Sequence, residues 1–342
     1  ETNGNLLENL QKAVAEHKRG NFALLEQLYV VSDEKNRPPI LQILREIPLK
    51  PKFFKVIRHI FKIAEYRRDA QVYGIIAKRF ETEKAGFTSP MWGDSIYLVG
   101  EDGSYKYLNA KKELSSENPQ IAFSDRTKSY FLRRTWRTLR RLGEIGDADY
   151  VKMAVGSLLV YADADAQEKR TTTRYDYYDE NGNYDWRNPR VITTHFDEFA
   201  PYLLFNHIIH GNSPRYEFKS NYRAFRLKSN IGDRKVSFRE ESFPKLWEAQ
   251  PVGLLHLLSE SECAPVHEFA VKSLRDCRNF VAELDIEAVL MLLQSKYSVT
   301  AQFGFEIAVS HYDSLNPNPE LVLAVANCQS ESARKTAFEW IN

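Results

Sequence analysis

The sequence predicts a mostly α-helical protein, an α-solenoid of antiparallel helix pairs with β-hairpin insertions. Three observations carry that fold class. Residues 286–308 and 319–341 align without a gap at an offset of 33 positions, matching Glu287 with Glu320, Val289 with Val322, Leu290 with Leu323, Phe305 with Phe338 and Glu306 with Glu339. A third copy, Leu254–Leu274, fits the same pattern with one extra residue. The apolar positions recur at helical spacing: Leu254, Leu255, Leu257 and Leu258, then Val289, Leu290, Leu292 and Leu293, then Val322, Leu323, Val325 and Ala326. A period of 33–35 residues built as helix, short turn and helix is the pattern of stacked helical repeats.

Such a helix cannot bury its stripe alone. Stacked neighbours bury it together, at roughly 25 cal/mol per Å² of apolar surface. Small and polar residues mark the turn inside each pair: Ser259 and Glu260, Gln294 and Ser295, Asn327 and Gln329. The stacking predicts a right-handed superhelix.

From the N-terminus, residues 5–30 read as two short helices split at Gly20-Asn21. Arg37-Pro38-Pro39 punctuates, and Ile40–Ile47 is a helix closed by Pro48 and Pro51. Lys52–Phe80 is a helix pair. Gly86–Thr127 breaks the helical period. Inside it, residues 95–99 and 105–108 flank Asp102-Gly103 and predict a hairpin. Phe131–Tyr161 is another pair, turning at Leu142-Gly143. A second interruption, 163–196, predicts a hairpin of Thr171–Tyr178 with Tyr184–Trp186 across Asn181-Gly182, and Val191–Phe196 adds a strand. Gly211–Ser242 is a third irregular stretch, rich in basic and aromatic residues. The chain reads as one elongated unit over 1–342, with insertions at about 86–127, 163–196 and 211–242. Its last residues lie inside a repeat helix, which reads as a piece of a longer protein or as an apolar edge that meets a partner.

The helix pairs resemble HEAT-type repeats, most closely in the last third and in Phe131–Tyr161. Tyr130–Leu142, His210–Glu217 and Phe243–Trp247 resemble segments of uncharacterised bacterial HEAT-like proteins. That resemblance implies a curved stack of helix pairs used for binding. It transfers no catalytic role to any residue.

Composition narrows the function. The chain has 342 residues and a formal charge of +1, with 27% charged residues. Any electrostatic role must therefore rest on local patches, not on net charge. Aromatics reach 13%, rich for a plain helical array, which points to insertions that pack or bind. Cys263, Cys277 and Cys328 form no C-x-x-C pair and read as small core residues in a reducing compartment. No apolar run approaches the ~18 residues of a membrane span, and no signal peptide is evident. The expectation is a cytoplasmic protein without a cofactor.

Ser129–Gly143 carries the sharpest electrostatic feature. At helical spacing Arg133, Arg134, Arg137, Arg140 and Arg141 fall on one arc of about 120°. Phe131, Leu132, Thr135, Trp136, Leu139 and Leu142 fall opposite. Guanidinium groups bind oxyanions in a bidentate way, so the five arginines are the candidate anion- or partner-binding residues. A solvated face, or pairing with acidic residues of the chain itself, is the competing reading. Lys55, Arg58, His59 and Lys62 make a weaker stripe.

Other chemistry has thinner support. His207 and His210 sit three apart, with His195, Asp197 and Glu198 nearby, but the spacing matches no recognised metal-ligand set. Residues 179–186 fail as a calcium loop, because Tyr177 falls where the first ligand should be. No phosphate-binding glycine loop, nucleophile elbow or zinc-protease motif occurs. The expected function is a non-catalytic scaffold that binds another protein. The alternative is nucleic-acid binding, as in HEAT-like DNA glycosylases, which need a cationic cleft, aromatic residues and a catalytic carboxylate.

Overall fold

The computed structural model describes residues 2–15, 23–88, 95–99, 102–109, 113, 121–178, 181–219, 223–228 and 239–341. Among them are sixteen α-helices and six strands, so the protein is mostly helical with small antiparallel sheets. The chain divides into two compact units, Glu1–Arg141 and Leu142–Asn342.

Unit one contains α1 (Thr2–Ala15), α2 (Ala23–Val30), α3 (Arg37–Glu46), α4 (Pro51–Arg67), α5 (Ala70–Thr82), strands β1 (Ser95–Val99) and β2 (Tyr105–Asn109), and most of α6 (Asp125–Glu144). The expected break at Gly20-Asn21 lies outside the described residues. Pro38 and Pro39 do not punctuate. They sit in the first turn of α3, where a missing N–H costs nothing. The predicted pair over 52–80 is α4 and α5. Between them Arg68 takes a left-handed conformation, φ 57°, and the Asp69 side chain caps α5 by accepting from Val72 N. Asp69 also accepts from Arg37 at 2.6 Å and from Tyr29 Oη at 3.0 Å, tying α2, α3 and α5 together. Burial raises its carboxyl pKa, but Arg37 outweighs that and leaves it below the usual range. The core is a ring cluster: Phe80 stacks on Phe131 at 4.4 Å, and Phe61 touches Tyr73, Phe80 and Phe131. The β1–β2 hairpin forms as expected, with Gly103 at φ 76°.

Unit two opens with α7 (Asp149–Leu158) and then β3 (Arg170–Asp176), β4 (Arg190–Phe196), α8 (Leu203–Ile209), β5 (Tyr216–Lys219) and β6 (Ala224–Leu227). Here the strand prediction needs correcting. The partner of β3 is β4, in register from Arg170↔Phe196 to Asp176↔Arg190, and Tyr184 makes only an isolated bridge to Tyr178. β4 pairs with β3 over seven residues and buries Thr194 and Phe196 at its end, which a three-residue Tyr-Asp-Trp segment cannot match. The third irregular stretch contributes two more strands, giving one sheet in the order β3-β4-β6-β5.

The remaining helices are α9 (Pro244–Ala249), α10 (Val252–Glu260), α11 (Ala264–Leu274), α12 (Arg278–Ala282), α13 (Ile286–Leu293), α14 (Ser298–His311), α15 (Pro319–Asn327) and α16 (Glu331–Ile341). The three sequence copies are the pairs α10–α11, α13–α14 and α15–α16, each packed on itself, with α13 also against α10 and α15. Two further positions repeat. Asp285 and Asn318, one period apart, both cap their helices through side-chain oxygens. Ala270, Gly304 and Ala337 fall at one position of the second helix, and all three are buried. A methyl group on Gly304 would lie 2.8 Å from Leu292 Cβ and 2.8 Å from Leu293 N. The stripe predicted for the last copy shifts: Leu321 and Val325 are buried, whereas Leu323 is 64% exposed. Cys263, Cys277 and Cys328 are buried free thiols.

Gly304→Ala tests this packing. Alanine favours a helix over glycine by about 1 kcal/mol, but the clash is with backbone, which yields little. The expected net result is destabilisation of about 1–2 kcal/mol in urea unfolding, with Gly304→Val worse. An unchanged midpoint for both variants would show that the pair separates freely.

Candidate functional site

The amphipathic pattern of α6 orients its arginines. Phe131, Leu132, Thr135, Leu139 and Leu142 are buried and Trp136 half-buried, so the opposite arc faces solvent. Arg133, Arg137, Arg140 and Arg141 are exposed. Arg134 differs. It is half-buried, contacts Glu65 of α4 at 2.6 Å and donates to Tyr130 Oη at 2.7 Å. Its bonds to Glu65 push its pKa further up, so its charge is committed within the unit. Arg133 Nε reaches the Ser129 carbonyl, its own helix, at 3.2 Å. Arg137 and Arg141 make no side-chain hydrogen bond or ion pair among the described residues. Arg137 and Arg141 thus present guanidinium groups that no carboxylate among the described residues has claimed. On α4, Lys55 and Lys62 are exposed, but His59 pairs with Glu26 at 3.1 Å.

The histidine group does not converge. His195 meets Thr171 Oγ1 at 3.1 Å on the exposed side of the sheet. His207 packs edge-on against Phe225 at 4.9 Å, whereas His210 stacks on Tyr216 at 4.2 Å. No metal-binding cluster of His, Cys, Asp and Glu occurs among the described residues.

A cavity of about 790 Å³ opens in unit two, and His210 lines it. Its walls come from the 197–200 turn, α8, the start of β5, residues 240–241 and one face of α11. Chain direction explains the assembly: α8 ends at His210, Gly211 turns, and Ser213–Tyr216 leads into β5. A Cβ on Gly211 would lie 2.6 Å from the His207 carbonyl, so only glycine makes this turn without displacement. The 240–242 segment then passes under α8, with Ser242 N donating to the Ile208 carbonyl at 2.9 Å and Ser242 Oγ to the His207 carbonyl at 2.7 Å.

Charge inside the cavity is tightly organised. Arg215 grips Glu240 through Nε at 2.9 Å and Nη2 at 2.7 Å, and Lys272 approaches at 3.7 Å. Burial pushes the Glu240 carboxyl up, but Arg215 and Ser213 overcome it and leave the pKa low. Glu241 is more deeply buried, and burial wins there: its pKa is raised although Arg239 contacts it. Tyr216 donates to Asp197, and burial together with that carboxylate raises the phenol pKa. His210 is driven to about 4, by burial first, with Glu240 opposing and Arg215 and Lys272 reinforcing. Its Nδ1 is closed off from solvent and has no hydrogen-bond partner.

Sequence reasoning singled out His210 and Asp197 but not Arg215, Tyr216, Glu240 or Glu241. The Arg-Glu-Glu-Ser run at 239–242 gave no local signal of burial, since a charged run ordinarily reads as a solvated segment. No protein-family model, curated protein or solved structure matches this chain. No helix among the described residues is long and apolar enough to cross a membrane.

Two outcomes follow. Arg215→Ala strands a buried carboxylate and should cost about 3–5 kcal/mol of stability in chemical unfolding. His210 titrates lower when folded than when unfolded, so its unfolded form binds the extra proton between pH 6.5 and about 4. Its contribution is complete above the unfolded value and declines as pH falls through that window, by on the order of 3 kcal/mol. His210→Phe keeps the stack on Tyr216 and should flatten unfolding free energy between pH 6.5 and 4. An unchanged slope would place the titration elsewhere.

Proposed function

We propose that the chain is a HEAT-like helical scaffold that binds an acidic segment of another protein through the arginine face of α6. One observation carries this reading: Arg133, Arg137, Arg140 and Arg141 stand exposed along one helix face, while Arg134 alone turns inward to Glu65. Aligned guanidiniums repel one another at close range, and an exposed row of them favours a carboxylate-rich partner. Encounter with such a partner would be fast and salt-sensitive. The repeated helix pairs of unit two support the scaffold part of the proposal, because stacked pairs present broad surfaces instead of a single pocket. Nucleic acid is the second ligand that the same face fits. The near-neutral net charge favours protein over phosphate backbone, whose affinity depends on many cationic contacts.

The triple variant Arg133→Glu, Arg137→Glu, Arg140→Glu tests the proposal. Proteins retained by the wild-type chain from its native extract, and released by raised salt, should be lost by the variant, with thermal stability unchanged. The loss should exceed the ~0–1 kcal/mol of one exposed ion pair. Retention of the same proteins by the variant would overturn the reading. Tight, salt-dependent binding of a labelled duplex in fluorescence anisotropy, abolished in the variant, would move it to nucleic acid.

A further inference from the structure

The cavity in unit two has a wall whose negative charge exceeds what its own cations neutralise. Five carboxylates line it, Asp197, Glu198, Glu240, Glu241 and Glu268, against Lys169, Arg215 and Lys272. Each of those cations already faces a lining carboxylate. Arg215 and Lys272 meet Glu240 at 2.7 and 3.7 Å, and Lys169 meets Glu198 at 3.9 Å. Glu241 is served by Arg239, which does not line the cavity. Two carboxylates remain. Asp197 accepts from the Tyr216 phenol and makes no ion pair among the described residues, although Arg215 feels its charge. Glu268 is exposed on α11 and makes no ion pair among the described residues.

Two independent features of the same wall point to a guest. The first is aromatic: Phe199 and Phe205 stack at 5.0 Å and line the cavity with Tyr216 and Phe269. Aromatic faces attract cations, and apolar stems pack on them. The second is His210. Its shielded Nδ1 lacks a partner, and a buried lone pair without a donor costs less than a buried N–H without an acceptor. The N–H therefore belongs on Nε2, and the ring is a neutral, polar part of the wall. A polar side chain held this way inside a cavity needs a reason beyond packing. The volume, about 790 Å³, suits a small molecule, since ligand cavities run from roughly 300 to 1,000 Å³.

We propose that this cavity binds a small organic cation, an amine or guanidinium on a short apolar stem. Glu268 and Asp197 meet the charged head, and the rings of Phe199, Phe205 and Phe269 receive the stem. This chemistry has two sources: a free amine, or a lysine or arginine side chain of a peptide. The inference is independent of the α6 arginine face, which lies in the other unit.

Calorimetric titration of the whole chain with agmatine, spermidine and the blocked peptide acetyl-Gly-Arg-Gly-amide tests it, with citrate as the anionic control. A free amine, the peptide or both should bind at up to millimolar concentration, and citrate should not. Binding of agmatine alone identifies a free amine, and binding of the peptide alone identifies a side chain. Glu268→Gln should weaken the bound probe about fivefold or more, the equivalent of ~1 kcal/mol for one partly exposed charge pair. Because Glu268 is exposed, the variant should unfold at the wild-type temperature. A readout free of any variant comes from NMR: the probe should shift the ring signals of Phe269 and His210. Failure of all three cations to bind, equal binding of citrate, unchanged affinity in Glu268→Gln, or undisturbed ring signals would each overturn the proposal.

Discussion

Two adjacent buried carboxylates organise unit two. Glu240 and Glu241 are 7% and 2% exposed, and an ion removed from water this far needs a partner. Arg215 supplies it for Glu240 and Arg239 for Glu241. Because Arg215 opens β5, while Ser273 and Lys272 approach the same two carboxylates from α11, the pairing fixes where the sheet stands against the helix pairs. The backbone of the segment is equally committed. Its carbonyls accept from Asn212, and the Ser242 carbonyl accepts from Trp247 Nε1 and Tyr150 Oη. Trp247 is thereby held in the core, edge-on to Tyr150 and Phe269. Phe243 takes a left-handed conformation, φ 56°, and its ring fills the space that a side chain at Gly143 would need. Uncharged substitutes for the carboxylates would relieve the desolvation cost but release this arrangement.

The C-terminal helix pairs rely on a different constraint, the closeness of two backbones. Gly304 admits α13 to within contact of α14, and alanines stand at the same position in the neighbouring copies. Side-chain capping repeats with the same period at Asp285 and Asn318. His267 joins copies through polar contacts instead: it lies between Thr300 Oγ1 at 2.8 Å and the Ser261 carbonyl at 2.9 Å, stacked on Tyr297. Its pKa is lowered by burial, so it serves as a neutral cross-link from α11 to α14.

How much of this the sequence revealed depends on the range of the interaction. The helix pairs were legible because periodicity is local: the stripe at Val289, Leu292 and Leu293 declares a buried face within one helix. The exposure of Arg133, Arg137, Arg140 and Arg141 followed from the same periodicity, and only the Arg134–Glu65 pair needed tertiary information. Strand pairing was less legible. Asn181-Gly182 promised a tight turn, but a turn signal does not say which following segment pairs with β3, and the longer β4 does so. The joining of β6 to β4 through His195 and Leu227 spans a helix and left no local trace. The cavity was least legible of all, since Asp197, Arg215, Glu240 and Glu268 lie far apart in sequence and none carries a motif.

Charge placement differs systematically between the two candidate sites. In the interior, desolvation leaves little choice, and Glu240, Glu241 and Asp69 each have an arginine within contact distance. On the α6 face water screens exposed guanidiniums such as those of Arg137 and Arg141, so unmatched charge there costs little. The cavity wall lies between these limits. Enough carboxylates are paired to let the wall fold, and Glu268 stands at its exposed edge, where solvent tolerates a lone charge. A cation entering there would exchange water for carboxylate and ring, at lower desolvation cost than a deeply buried ion pair would carry. The same reasoning explains why His210 stays neutral. A protonated imidazole would sit among Arg215 and Lys272 without a hydrogen-bond acceptor at Nδ1, so the fold excludes the proton and leaves the net charge of the wall negative.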